Sequence, residues 1–147
     1  MLVIASYTFT QITDRLRAAY PNEGAGLLLG AADGAPANVR KIASAMLPLP
    51  NGSEEGEQYH RYLITARDML DGEAEAERLG MDVVGVYHSH PDHPSQPSEF
   101  DREHALPWYS YLIVCIQNAV PSDSRAWVLS DDRSQFIEEE FKIETRL

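Results

Sequence analysis

A chain of 147 residues in which 23 Asp and Glu face 12 Lys and Arg carries a formal charge of −11; its length is a prior for one domain, 1–147, and its 44% hydrophobic and 24% charged residues are those of a globular rather than a disordered chain. The surplus of acid disfavours non-specific nucleic-acid binding, which needs cations against phosphate, and one cysteine, Cys115, excludes an intramolecular disulfide or a cysteine-built zinc knuckle. No apolar run approaches the about 18 residues of a membrane helix, and Met1–Thr10 lacks the pattern of a secretory signal, so a cytoplasmic protein without membrane association is expected.

Leu2–Ala5 is a short apolar opening that predicts a strand. Thr10–Tyr20 spaces Ile12, Leu16, Ala19 and Tyr20 along one helical face, and Pro21 ends it. Gly24–Ala31 is a continuous Leu-rich run and predicts a buried strand. Asp33-Gly34-Ala35-Pro36 has turn chemistry, and Asn38–Met46 predicts a second strand. Pro48–Gln58, polar and rich in Pro, Gly and Glu, is the expected mobile loop. Thr65–Leu79 predicts a helix capped by Thr65 and closed by Gly80, with Ala66, Met69, Leu70 and Ala74 sharing a face. Gly72 within it costs about 1 kcal/mol of helix propensity. Asp82–His90 opens with the β-branched run of a central strand. Glu99–Leu106 predicts a short helix, and Tyr109–Gln117, Arg125–Ser130 and Gln135–Glu144 three more strands, the last an edge strand with one wet face. Helices and strands without regular βαβ repetition predict an α/β fold, a mixed β-sheet flanked by helices.

The chemistry concentrates in His88-Ser89-His90-Pro91 and Ser98-Glu99-Phe100-Asp101. Two residues apart on a strand, His88 and His90 project from one face. Asp101 adds a hard carboxylate at the start of the next helix. Two imidazoles and one carboxylate, with a fourth position open, compose a catalytic zinc site rather than a structural one. Pro91, Pro94 and Pro97 stiffen the connection. Each block alone has a plainer reading: His-x-His as ordinary hydrogen-bonding residues, and Ser98-x-x-Asp101 as a capping box at a helix start.

Together the two blocks resemble the JAMM motif of the JAMM/MPN+ (JAB/Mov34-type) zinc metalloproteases, and the compact length is similar to their stand-alone bacterial branch. Glu23-Gly24-Ala25-Gly26-Leu27-Leu28-Leu29-Gly30 is similar to the upstream glutamate and strand of that family. The resemblance implies a cytidine-deaminase-like JAB/MPN fold and one Zn²⁺ held by His88, His90 and Asp101. It further implies Glu23 as general base and Ser98 as donor to the oxyanion. The implied reaction is hydrolysis of peptide or isopeptide bonds at the C-terminal tails of ubiquitin-like or sulfur carrier proteins, the tail lying along a sheet edge as an added strand. Without the resemblance, Glu23 reads as a solvated turn residue. The alternative within the fold is a non-catalytic MPN-type interaction scaffold, which typically lacks the ligands present here. A deaminase on the related fold would need cysteine ligands that this chain does not have.

Among the remaining candidates, His93 reads as a loop histidine near the site that contacts substrate. His104 shares the helical face of Asp101 and reads as its supporting partner, and His60 reads as a surface residue. Cys115 reads as a buried structural thiol, and Trp108 and Trp127 as core or near-core aromatics. The sequence carries no signal for oligomeric state.

Overall fold

The computed structural model describes residues 1–59 and 61–145. Its elements follow as β1 (Leu2–Ala5), α1 (Ser6–Ala19), β2 (Ala25–Asp33), β3 (Arg40–Leu49), α2 (Ala66–Arg78), β4 (Asp82–Pro91), α3 (Glu99–His104), β5 (Ser110–Gln117), β6 (Val120–Leu129), β7 (Phe136–Glu139) and β8 (Phe141–Glu144). All the strands form one eight-stranded sheet in the order β7-β6-β5-β4-β2-β3-β1-β8. β1 pairs in parallel with β3 and β8, and β4 with β5; the other pairs are antiparallel. The expected mixed sheet flanked by helices is present.

Both faces of the sheet are covered, which is why β2 reads as unbroken leucine. Leu28 points with Ile12, Leu16, Val84, Tyr87 and Leu112 into the cluster on the α1 side. Leu27 and Leu29 point with Ala76, Val83, Val86 and Tyr111 into the cluster on the α2 side.

The predicted edge strand at 135–144 is two strands. β7 pairs with β6 and β8 with β1, at opposite ends of the sheet order, yet only Glu140 separates them. The sheet therefore curls until its two ends share one broken strand, and the Leu2 N–H donates to the Glu140 carbonyl at the break (2.8 Å). Phe136 and Phe141 are an odd number of residues apart and so face opposite ways: Phe136 packs on the α2-side cluster and Phe141 on the α1-side cluster.

Thr65 caps α2 through a capping box with Asp68, and Gly80 follows its end at φ +69°. The buried face is not the predicted one. Gly72 and Ala76 are buried, whereas Leu70 is 61% exposed. The glycine that weakens the helix is what lets it lie against β2, because a Cβ at Gly72 would collide with the Leu27 side chain. Trp108 also departs from expectation. It is largely exposed with φ +78°, and Lys41 Nζ lies 4.7 Å from its ring centroid and donates to its carbonyl. β3 continues past Met46 through Pro48, which pairs with Gly26, to Leu49. No helix among the described residues is long and apolar enough to cross a membrane.

Gly26 faces the Tyr87 ring, and a Cβ there would collide with that ring and with the Leu47 carbonyl oxygen. Gly26→Ala is expected to destabilise the fold by about 1–3 kcal/mol through overpacking. The check is urea denaturation, with a lower midpoint at unchanged slope; an unshifted midpoint would refute the packing account.

Candidate metal centre

β4 lies inside the sheet at the site. His88 pairs with Ala25 of β2 on one side and Ile113 of β5 on the other. Strand parity places His88 and His90 on one face, both buried, with their Nε2 atoms 3.2 Å apart. β2 pairs with β4 as far as His88, whereas β5 pairs with it through Pro91.

The proline-rich connection is held as a rigid arm. Trp127 Nε1–H donates to the Ser95 carbonyl (3.0 Å), and the buried Ser95 hydroxyl donates to the Asp123 carboxylate. The Pro94 carbonyl lies 2.7 Å from His90 Nδ1. A carbonyl can only accept, so Nδ1 carries the hydrogen of this contact and Nε2 is the nitrogen turned toward Asp101. At the end of the arm Ser98 caps α3. Its Oγ accepts from the Asp101 N–H (3.1 Å), and its own N–H donates to Asp101 Oδ2 (2.8 Å). That same Oδ2 lies 3.1 Å from His90 Nε2 and 3.4 Å from His88 Nε2. The capping box and the approach to the imidazoles are one arrangement, not rival readings.

Glu23 is not a solvated turn residue; it is 2% exposed. Its N–H donates to the Gln58 carbonyl (2.6 Å), and the next residue, Gly24, is pinned to β4 by exchange with Ser89: Gly24 N–H to Ser89 Oγ (2.9 Å) and Ser89 N–H to the Gly24 carbonyl (3.0 Å). This brings a Glu23 carboxylate oxygen and a nitrogen of each of His88 and His90 within 4.8 Å of one another.

The electrostatics of this group fit a divalent cation. His90 Nε2 faces a carboxylate oxygen of Asp101, and Glu23 Oε1 and His88 Nδ1 are buried without a hydrogen-bond partner among the described residues. Burial, reinforced by the charge of Asp101, pushes Glu23 up to about 9. Burial would also raise Asp101, but the charges and hydrogen bonds of His88 and His90 overcome it and hold that carboxyl well below its ordinary value. A cation held among these groups would relieve the repulsion between the two carboxylates.

The other candidates fall outside this cluster. His93 stacks on His90 (ring centroids 4.2 Å apart) and its Nδ1 lies 2.8 Å from the Pro91 carbonyl, so it buttresses a ring rather than offering a ligand. His104 is exposed, with Nδ1 bonded to the Phe100 carbonyl and its ring stacked on Phe100, and it does not support Asp101. Cys115 is buried, as expected. His60 lies outside the described residues.

Sequence reasoning missed Tyr62 and Asn51. Tyr62 stacks on His88 with ring centroids 4.1 Å apart and walls an apolar cavity of about 210 Å³ with Ile64, Met69 and Tyr109. Nor is 48–58 a loose loop, because the Asn51 and Gln58 side chains bond it internally. A lone Asn or Tyr in a polar stretch carries no periodic signal. The length of the segment was the available clue, since long irregular connections in compact domains are usually functional.

Comparison with known proteins places these features in a family. The family described as prokaryotic homologs of the JAB domain matches residues 5–130. A probable TtuB-protein conjugate cleaving protease of Thermus thermophilus is 31% identical over 93 residues, covering 63% of this chain and 55% of that protein. A desampylase of Haloferax volcanii is 34% identical over 94 residues, covering 63% and 62% respectively. The match thus spans less than two thirds of either relative. The solution structure of a Desulfitobacterium hafniense protein superposes with a TM-score of 0.84 at 26% identity, over 100% of this chain and 95% of that one. A JAB1/MPN domain protein of Archaeoglobus fulgidus shares the fold with a TM-score of 0.60 at 20% identity, over 97% and 98%. With the matching family spanning β1 to β6, well over half of the sequence, the chain belongs to the prokaryotic homologs of the JAB domain.

Proposed function

We propose that this chain is a zinc-dependent peptidase or isopeptidase acting at the C-terminal tails of ubiquitin-like or sulfur carrier proteins. The observation that carries the reading is the buried convergence of Glu23, His88, His90 and Asp101. The names of the two relatives, which cleave protein conjugates of this type, support the substrate class. In this reading His88, His90 and Asp101 hold the metal, and the oxygen- and nitrogen-only donor set with three protein ligands suits catalytic zinc. Zinc at such a site supplies Lewis acidity, polarising a carbonyl and lowering the pKa of water toward about 7.

The chain's own residues do the rest. Glu23, buried and with one carboxylate oxygen unpartnered, takes the proton of the attacking water and delivers it to the departing amine. Ser98 Oγ accepts from the Asp101 N–H, so its own hydrogen is free to donate to the oxyanion that develops on the scissile carbonyl. Tyr62 stacks on His88 and His93 on His90, which holds the two imidazole rings in orientation.

The deciding experiment incubates zinc-loaded protein with ubiquitin-like and sulfur carrier proteins bearing C-terminal extensions or isopeptide-linked partners and follows the products by mass spectrometry. Cleavage at the tail is expected, and chelation should stop it. No product from any of these substrates would overturn the substrate class.

Glu23→Gln is expected to retain zinc while turnover falls by about a hundredfold or more, the usual scale of a lost general base. Turnover at the unmodified rate would remove Glu23 from the chemistry. The same substitution has a stability signature in chelator. Glu23 moves from an ordinary value of 4.5 to about 9 on folding, so between those values the native state binds a proton that the unfolded state has lost. Stability of the unmodified protein then falls as pH rises through that window, and Glu23→Gln should gain in relative melting temperature from pH 5 to pH 8.

His90→Ala and Asp101→Asn should each abolish stoichiometric zinc binding, as measured by elemental analysis after chelation and reloading. Retention of zinc by Asp101→Asn would instead favour Glu23, His88 and His90 as the ligand set, the trio that lies within 4.8 Å.

A further inference from the structure

The segment between β3 and α2 is joined to the candidate centre through Asn51. Its Nδ2 donates to the carbonyls of Glu23 (3.0 Å) and Arg61 (2.7 Å), and its Oδ1 accepts from the N–H groups of Ser53 (2.9 Å) and Leu63 (3.2 Å). The donor end meets carbonyls and the acceptor end meets N–H groups, so one orientation of the amide satisfies every contact and the flipped one satisfies none. Gln58 extends the tether. Its Nε2 donates to the carbonyls of Asn51 and Ser53 (3.1 Å each), while its own carbonyl accepts the Glu23 N–H (2.6 Å). Both backbone polar groups of Glu23 are therefore held by a stretch with no helix or strand of its own. That stretch leads directly into Tyr62, whose ring lies on His88.

We infer that Asn51 is a positioning residue for the proposed hydrolysis, setting where the Glu23 carboxylate and the Tyr62 ring stand relative to His88. The inference rests on the role of Glu23 given above. No hydrogen bond reaches Glu23 Oε1, so the placement of its carboxylate depends on where its backbone is fixed. His88, His90 and Asp101 belong to β4 and α3, which Asn51 does not touch. Loss of Asn51 should therefore separate turnover from metal binding. A misplacement of about 1 Å at a reacting group costs about a hundredfold in rate.

The test compares Asn51→Ala and the near-isosteric Asn51→Asp with the unmodified full chain. The Asp variant keeps the acceptor but sets a carboxylate oxygen against the two carbonyls. Zinc affinity is measured by competition with a chromogenic chelator, kcat and KM on a ubiquitin-like protein with a C-terminal extension, and amide exchange by NMR. Expected are unchanged zinc affinity, kcat lower by about a hundredfold with KM little altered, and faster exchange at the Ser53, Leu63 and Glu23 amides with β4 unaffected. The Asp variant should not rescue kcat. The inference is overturned if kcat survives while the Ser53 and Leu63 amides open, if exchange at those amides does not change, or if faster exchange spreads through β4, which would mark a general structural role. Should Asn51→Ala fail to fold, Asn51→Asp decides by the same readouts. An unmodified protein inactive on every substrate would overturn the hydrolase reading instead, and the exchange pattern would still decide whether Asn51 tethers Glu23.

Discussion

The structure depends on one electrostatic constraint: two carboxylates and two imidazoles converge where water does not reach. Glu23, His88, His90 and Asp101 are all nearly inaccessible, and the two imidazoles lie against the Asp101 carboxylate. Burying such groups is unfavourable unless something compensates. Part of the compensation is local. Asp101 is held by a helix cap and His90 Nδ1 by the Pro94 carbonyl, so these two groups are oriented from behind. Support of this kind is the way metal-ligating side chains are oriented.

Each surrounding element can be understood as a support for that convergence. β4 takes the histidines into the sheet, where His88 is paired on both sides and His90 with β5. The α1-side cluster fixes β4 from behind through Tyr87, which fills the space that Gly26 leaves open. The irregular stretches carry the rest. The arm from Pro91 to Ser98 is anchored by Trp127 and Asp123, and the 50–63 segment by Asn51 and Gln58. Polar loops of this kind usually read as mobile; here their side chains satisfy their own backbone, which gives irregular chain the order of a regular element.

What the sequence made legible follows from periodicity. The parity of His88 and His90, the caps at Thr65 and Ser98, the leucine run of a strand covered on both faces and the turn at Gly34 are short-range patterns, and the structure has them. The motif blocks drew Glu23 to the site as well, although no local pattern distinguishes it from a turn residue. Misreadings arose where a long-range partner decided the outcome. Leu70 fits a helical face as well as Gly72 does, and only the nearness of Leu27 selects the glycine side. The strand at 136–144 looks single because its two halves find partners far apart in sequence, and Trp108 looks like core because Lys41 is not next to it in the chain. Asn51 has no pattern to read, since its meaning lies entirely in the carbonyls and N–H groups that meet it.

The acid surplus divides on the same principle. Among the described residues, Glu23 and Asp101 are the carboxylates buried outright. Several others are exposed and pair with an arginine three or four residues away, as Glu75 does with Arg78, Asp71 with Arg67 and Glu99 with Arg102. Such exposed pairs are screened by salt and contribute little to stability. Counting charges treats all these carboxylates alike, whereas solvation separates them: an exposed carboxylate satisfied by water and a mobile arginine has no unmet demand. Glu23 and Asp101 have lost water and face imidazole nitrogens, so their charge must be answered by a proton or a cation within the cluster. Solvation thus sets the two buried acids apart from the rest of the surplus.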